Sequence, residues 1–118
     1  LSPDKPAVFR EIARVLRPGG RFAVSDIVLL RELPERVARD VSAYVGCIAG
    51  ASLMGDYIGY ALEAGLSHLS VPQITHGVAL ADVLAPSEKA CCGGSPVTSE
   101  LKRVAASATA SIKLHGRK

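Results

Sequence analysis

Three cysteines have the most specific chemistry of any residues in this sequence. Cys47 lies in the run Tyr44–Ala51, with glycines at positions 46 and 50, and two glycines directly follow the pair Cys91 and Cys92. Thiolates are soft ligands that prefer soft, thiophilic ions to hard cations such as magnesium. The three sulfurs therefore predict a site for a thiophilic ion, provided that the fold brings Cys47 close to one member of the pair.

Each cysteine also has an interpretation without a ligand. Cys47 falls on the edge of an apolar helical stripe, where free cysteine is common as a small core residue. Cys91 and Cys92 can equally be a reactive loop pair with no function. A zinc site is disfavoured, because His76 lacks the usual ligand spacing to the cysteines, and His68 and His115 are isolated.

Composition limits the classes of function. The chain has 118 residues, of which 48% are apolar, enough for one domain over residues 1–118. Its 14 basic and 11 acidic residues are interspersed, and only 4% of the residues are aromatic, with no tryptophan. Nucleic acid is not predicted as a partner, because binding it requires a basic patch or a stacking surface.

A membrane location is not predicted either. The longest apolar run, Ile27–Leu30, is far shorter than the roughly 20 residues that a spanning helix requires. The first residues have no signal-peptide pattern, and an odd number of cysteines argues against a disulfide framework. The sequence therefore favours reduced thiols in the cytoplasm.

The first part of the chain predicts a helix, a turn and a strand. Asp4 is a suitable N-cap, Pro6 fits a first helical turn, and apolar residues recur at helical spacing as far as Leu16, which predicts a helix over about residues 4–17. Pro18 and the two glycines after it end that helix. The apolar segment 21–29 predicts a strand buried on both faces, as is typical of parallel sheets.

The middle of the chain predicts two further helices. Pro34 opens the first, whose apolar stripe is Val37, Val41, Tyr44, Val45 and Ile48. Cys47 lies beside this stripe and should be partly accessible. The second covers residues 53–66 and ends at Gly65.

The last part predicts two strands and a long connection. Residues 69–74 form a strand that Pro72 assigns to a sheet edge, and residues 75–97 form a loop with one helical turn near 80–84. A short helical turn at 100–105 precedes a closing strand over 108–114, and residues 115–118 are expected to be a frayed basic tail. The result is an α/β domain with a mixed three-stranded sheet.

The stretch from Phe9 to Asp26, with its helix, Pro-Gly-Gly turn and strand, closely resembles the second half of class I S-adenosylmethionine-dependent methyltransferases. Residues 1–5 and Tyr44–Ala51 resemble the arsenite methyltransferase branch in particular. The resemblance implies a partial Rossmann-like fold with packed helices. Its three strands correspond to the family's fifth, sixth and seventh strands, in the spatial order 5-7-6.

The resemblance also implies a function. The chain would be the C-terminal, arsenic-binding portion of an arsenite methyltransferase, with As(III) as substrate held by Cys47 and by Cys91 or Cys92. The glycine-rich turn, the ribose-binding acid and an upstream cysteine of the family belong to a missing N-terminal half. S-adenosylmethionine is therefore not expected to bind this chain alone, and the chain is expected to be inactive by itself.

Two other functions remain open. One is a non-catalytic module whose exposed fifth-strand edge pairs with a second copy, as a homodimer, or with a cofactor-binding partner. The other is a methyltransferase of the same branch with another small acceptor. If the chain is part of a methyltransferase, Asp26 could approach a substrate beyond the carboxyl ends of the strands. Asp26 could instead cap a turn.

Overall fold

The computed structural model describes residues 4–36, 38–39, 48, 50–77 and 99–118. Helices and strands alternate within these ranges, which confirms the predicted α/β class. The elements are α1 (Lys5–Val15), β1 (Arg21–Leu29), α2 (Met54–Glu63), β2 (Ser67–His76), α3 (Ser99–Ala108) and β3 (Thr109–Arg117).

Helix α1 is bounded by the signals that its sequence predicted. The Asp4 side chain accepts a hydrogen bond from the backbone N–H of Ala7 at 2.9 Å, which satisfies a group that has no acceptor within the helix. Pro6 lies in the first turn, where its missing N–H costs no helical bond. After the helix, Gly19 has a φ of +79°, a conformation that glycine adopts without steric cost.

Strand β3 lies between β1 and β2 and pairs antiparallel with both. This order, β1-β3-β2, is the one that the family resemblance implied for strands 5-7-6. Because both outer strands are antiparallel to β3, they run parallel to each other. Val28 and His76 both face Ala110 in the ladders, so β1 and β2 end at the same side of the sheet. We call this side, where Leu29 and His76 end their strands, the carboxyl edge.

Helices α1 and α2 cover one face of the sheet, which we call the inner face. The ring of Phe9 meets the ring of Tyr57 edge-on, with 5.0 Å between centroids, and meets Phe22 at 6.5 Å. Such edge-on contacts add to the stabilisation from burial alone. The buried residues of this core are Phe9, Ala13, Val28, Tyr57, Ala61, Leu66, Ile112 and Leu114.

The prediction that β1 is buried on both faces is wrong. Val28 is fully buried and Val24 is half-buried, whereas Arg21, Ala23 and Ser25 on the opposite face are exposed. The reason is that α1 and α2 both pack on the inner face. The opposite face, which we call the outer face, has no helix packed on it among the residues that the structure describes.

The prediction of a frayed tail at 115–118 is also wrong. His115 and Arg117 belong to β3, opposite Ala23 and Arg21. The backbone N–H of Lys118 donates to the Gly20 carbonyl, and the Lys118 carbonyl accepts from the N–H of Gly19, each at 2.9 Å. The Pro-Gly-Gly turn thus supplies partners for these residues. Strand β2 and helix α3 likewise extend beyond the predicted 69–74 and 100–105.

Within the described residues, the predicted second helix is represented by its start and by Ile48. The backbone N–H of Ala38 donates to the Pro34 carbonyl at 2.9 Å, a helical bond at the expected position. Most of its apolar stripe lies outside the described residues, as does the predicted turn at 80–84. The predicted end of α2 is confirmed, because Gly65 has a φ of +86°. No helix among the described residues is long and apolar enough to cross a membrane.

Replacement of Phe9 by alanine tests the inner-face core. Phe9→Ala should lower the free energy of unfolding by about 3 to 5 kcal/mol, because it removes a fully buried ring that contacts Phe22 and Tyr57. Val8→Ala is the control, since Val8 is 38% exposed on the same helix. Urea unfolding followed by circular dichroism measures both variants. Equal losses would contradict the assignment of this core.

Candidate functional site

The three predicted ion ligands, Cys47, Cys91 and Cys92, lie outside the described residues. The ends of the two chain segments that contain them are described, however. The first segment, residues 30–53, contains Cys47, and the second, residues 77–99, contains the cysteine pair. The contacts at these ends define which part of the sheet each segment leaves and rejoins.

The first segment leaves and rejoins the sheet at the end of β1. The backbone N–H of Leu30 donates to the Ala108 carbonyl at 2.8 Å, and the N–H of Leu29 donates to the Ser52 carbonyl at 2.9 Å. Leu53 then forms a parallel bridge with Leu29. Both ends of the segment are therefore held at the carboxyl edge.

The second segment begins at the same edge. Strand β2 ends at His76, opposite Ala110 of β3, and the next residue is Gly77. Gly77 packs tightly against the junction of α3 and β3. A Cβ atom at this position would lie 2.5 Å from the Ala106 carbonyl oxygen and would also overlap the Thr109 hydroxyl. Helix α3 follows the second segment and leads directly into β3 at Thr109, so the C-terminal end of α3 also lies at this edge.

Side-chain contacts connect the first segment to α3, the helix that follows the second segment. Ile48, the residue after Cys47, is helical and half-buried, and with Leu33 and Val104 it packs against Ala105 of α3. The guanidinium of Arg31 donates to the Ser107 hydroxyl of α3 at 2.7 Å. Helix α3, which follows the cysteine pair in sequence, thus contacts Ile48, the residue next to Cys47 in the chain.

A group of three polar side chains lies inside the core, between α1, α2 and β1. The Lys5 ammonium of α1 donates to Asp26 Oδ2 of β1 at 2.5 Å, and only 8% of the lysine side chain is exposed. Asp26 Oδ1 accepts from the backbone N–H of Ile27 at 2.8 Å. The buried phenol of Tyr57, on α2, lies close enough to the same carboxylate for the charge of Asp26 to act on it.

The protonation of this group follows from its surroundings. Burial by itself would raise the pKa of Asp26, but the hydrogen bond and charge of Lys5, with the N–H of Ile27, outweigh burial, and the pKa is lowered. Burial raises the pKa of Tyr57, and the charge of Asp26 raises it further. The group therefore contains an ionised carboxylate between an ammonium and a neutral phenol.

Neither predicted role of Asp26 matches its position. The residue lies within β1 instead of at its end, and its carboxylate is directed into the core instead of capping a turn. The sequence contained a signal for its partner that the prediction missed. Lys5 is four residues before Phe9 and eight before Ala13, so helical spacing assigns it to the buried face of α1. A lysine on such a face requires an acid nearby.

The described residues do not fit a cofactor site. A turn that binds the cofactor of this fold follows a strand and precedes a helix. The two glycines with positive φ, Gly19 and Gly65, follow helices and precede strands. The described ranges also contain no cluster of three or more His, Cys, Asp or Glu side chains that could hold a metal ion.

Comparison with known proteins finds methyltransferases. A sequence model of a family described as "Methyltransferase domain" matches residues 1–81. An arsenite methyltransferase from Halobacterium salinarum is 42% identical over 71 residues, which cover 60% of this chain and 18% of that protein. Methyltransferase GfsG from Streptomyces halstedii is 36% identical over 75 residues, covering 62% of this chain and 27% of the relative.

A solved structure is also similar. It is CrArsM, an arsenic(III) S-adenosylmethionine methyltransferase from Chlamydomonas reinhardtii, with a TM-score of 0.51 and 26% identity. The alignment covers 99% of this chain and 33% of the algal protein. The chain thus spans a third or less of the length of each of these relatives.

Removal of the Lys5 charge tests the buried ion pair. Lys5→Met should lower the free energy of unfolding at pH 7 by roughly 3 kcal/mol, because it leaves a buried carboxylate without its cation. Since the pair lowers the folded pKa of Asp26, its stabilisation is present above the unfolded pKa of about 3.9 and is lost as the pH falls through the folded pKa. Urea unfolding at several pH values should therefore show the two proteins converging towards pH 3.

Arg14→Met is the matched control for this variant, because it breaks the exposed pair of Arg14 with Glu11 on the same helix. It should change the free energy of unfolding far less than Lys5→Met does, because exposed ion pairs are screened by solvent. A loss for Lys5→Met that is equally small, or that does not change with pH, would contradict the proposed electrostatics.

Proposed function

This chain belongs to the methyltransferase domain family, and we propose that it is the C-terminal, substrate-binding part of an S-adenosylmethionine-dependent arsenite methyltransferase. One observation carries the proposal: both cysteine-bearing segments leave the sheet at the carboxyl edge, and the helix that follows the second segment returns to the sheet there. In open α/β sheets, ligands bind in the crevice outside the carboxyl ends of the strands. The similarity to arsenite methyltransferases supports As(III) as the proposed substrate.

The proposed ligands of As(III) are Cys47 and one of Cys91 and Cys92. Neighbouring cysteines rarely chelate one small ion together, so the pair contributes a single thiolate. Soft sulfur ligands suit the soft arsenic centre, and they must lose their protons before they bind it. Their role is to hold the substrate ion and to orient its lone pair towards the methyl donor.

The methyl donor has to be held by residues other than those described. S-adenosylmethionine supplies an electrophilic methyl group on a sulfonium when it is bound. The described part of this chain has no strand-to-helix glycine turn that would bind it. We therefore propose that the chain alone has no methyltransferase activity and that a cofactor-binding part completes the enzyme.

The open side of β1 supports a second candidate function, a module that pairs through a strand edge. The Gly20 carbonyl accepts a hydrogen bond from the N–H of Lys118, and the N–H of Leu30 donates to the Ala108 carbonyl. Because antiparallel pairs alternate, the even-numbered residues of β1 form their backbone hydrogen bonds with β3. Arg21, Ala23 and Ser25 therefore direct their backbone N–H and C=O groups away from β3. No described strand pairs with these groups, and an unpaired edge is a surface for another strand.

Titration with arsenite tests the proposed function. The chain should bind about one equivalent of As(III), measured by calorimetry and by arsenic content after gel filtration. Cys47→Ser should weaken binding by more than about tenfold, because the site loses one of two thiolate ligands. Of Cys91→Ser and Cys92→Ser, one should have a similar effect and the other little. Affinity should rise with pH as thiolates form.

Gel filtration of the same samples separates the two candidates. Stoichiometric binding that depends on Cys47 supports the arsenic site. A stable dimer that binds no arsenite supports the edge-pairing module. Binding that none of the three serine variants weakens would contradict the proposed ligands. Circular dichroism of each variant establishes that the fold is intact.

A further inference from the structure

The outer face of the sheet has a pair of arginines at the end opposite the carboxyl edge. Arg21 of β1 and Arg117 of β3 are direct cross-strand partners, and both are exposed. Like charges directly opposite each other on antiparallel strands repel. Neither guanidinium forms an ion pair with an acidic side chain of the described residues. An anion lying between the two charges would relieve this repulsion.

Two histidines lie beside the arginine pair. His115 is on β3, opposite Ala23 of β1 and Ser70 of β2, and is exposed. His68 lies where the register of β2 shifts between Ser67 and Ser70. Among the residues of the three strands, the only acid is Asp26, whose carboxylate is held in the core by Lys5. The outer face therefore has no carboxylate of its own strands to neutralise these basic groups.

The backbone of His68 is in an unusual conformation. Its φ is +50°, and it is the only described residue other than glycine whose φ is positive. Its ring nitrogen Nδ1 lies 3.1 Å from the hydroxyl oxygen of Ser67. Residues with a Cβ rarely adopt this region, and such outliers concentrate at ligand sites where the surroundings fix them. The strained residue occurs beside the arginine pair.

These side chains line one concave surface. A groove of about 660 Å³ is lined by Arg21, Phe22, Ala23, His68, Ser70, His115, Gly116 and Arg117. Its volume is within the range of roughly 300 to 1,000 Å³ that is typical of small-molecule sites. The lining includes no acidic side chain.

We infer that this groove binds a tetrahedral oxyanion of the phosphate class, with Arg21 and Arg117 as its charged ligands. Each guanidinium presents a planar fork of donors that matches two oxygens of such an anion. The Ser70 hydroxyl and the imidazole of His68 supply further hydrogen bonds. Along β1, the groove is roughly 26 Å from the carboxyl edge, at about 3.3 Å per residue. The site is therefore separate from the cysteine segments and does not depend on the proposed methyltransferase function.

Titration of the 118-residue chain with inorganic phosphate tests this inference. Sodium chloride keeps the ionic strength constant, and amide shifts in two-dimensional NMR report binding. We expect saturable shifts at positions 21, 68, 115 and 117 with one equivalent bound. Arg117→Gln and Arg21→Gln should each weaken binding by at least about tenfold, because each removes a charged ligand.

Arg10→Gln is the control, because Arg10 is exposed on α1 and its loss changes the net charge equally. It should change the affinity by less than about twofold, since exposed charges at a distance are screened. Shifts that do not saturate, or an equal effect of Arg10→Gln and Arg117→Gln, would overturn the inference. If Arg117→Gln reduces the helical signal in circular dichroism, Arg21→Gln provides the same comparison.

Discussion

The sheet of this protein depends on the two ladders of β3. Neither β1 nor β2 pairs with another described strand, so every residue pair of the sheet includes β3. The inward residues of this strand, among them Ile112 and Leu114, are also part of the core beneath α1 and α2. The same ladders align the ends of β1 and β2. The geometry of the carboxyl edge, and with it the attachment of both cysteine-bearing segments, therefore follows from the register of β3.

Polar and apolar contacts cooperate beneath this sheet. Phe9 and Tyr57 connect α1 and α2 through their rings, while Lys5 and Asp26 connect α1 to β1 through an ion pair. Among the described residues, no buried side-chain nitrogen or oxygen lacks a hydrogen-bond partner. A buried ion pair adds little net stability, but it penalises any packing that separates its members. The position of α1 on β1 is thus specified more narrowly than apolar burial alone would require.

Much of the local structure could be predicted from the sequence, because its signals are local. Asp4 and Pro6 identify the start of α1, Gly65 identifies the end of α2, and Pro72 identifies an edge strand. The strand order came instead from the family resemblance, since pairing between distant segments leaves no local pattern. Exposure of one face of β1 could not be predicted, because an apolar run does not reveal which of its faces a helix will cover.

Two mistakes, the predicted tail at 115–118 and the missed burial of Lys5, both arose because the residue type did not reveal which side of its element faces the core. The end of β3 was predicted as a tail because Gly116 has no side chain to mark the inward position between His115 and Arg117. Lys5 was overlooked because lysine is rarely buried, although its spacing to Phe9 assigned it to the core. For the candidate site, the cysteines could be chosen from their chemistry, whereas their distances could not, because they belong to long connections between strands.

The central place of β3 has a consequence for how the protein reaches its native state. During synthesis on the ribosome, β1 and β2 emerge before the strand that joins them. Until β3 is made, their backbone groups and inward apolar side chains have no strand partner, a condition that favours aggregation. Closure of the sheet must also bring Arg21 to Arg117 across most of the chain, and contacts of such long range form slowly. The nascent chain is therefore expected to be most prone to aggregation before β3 has emerged.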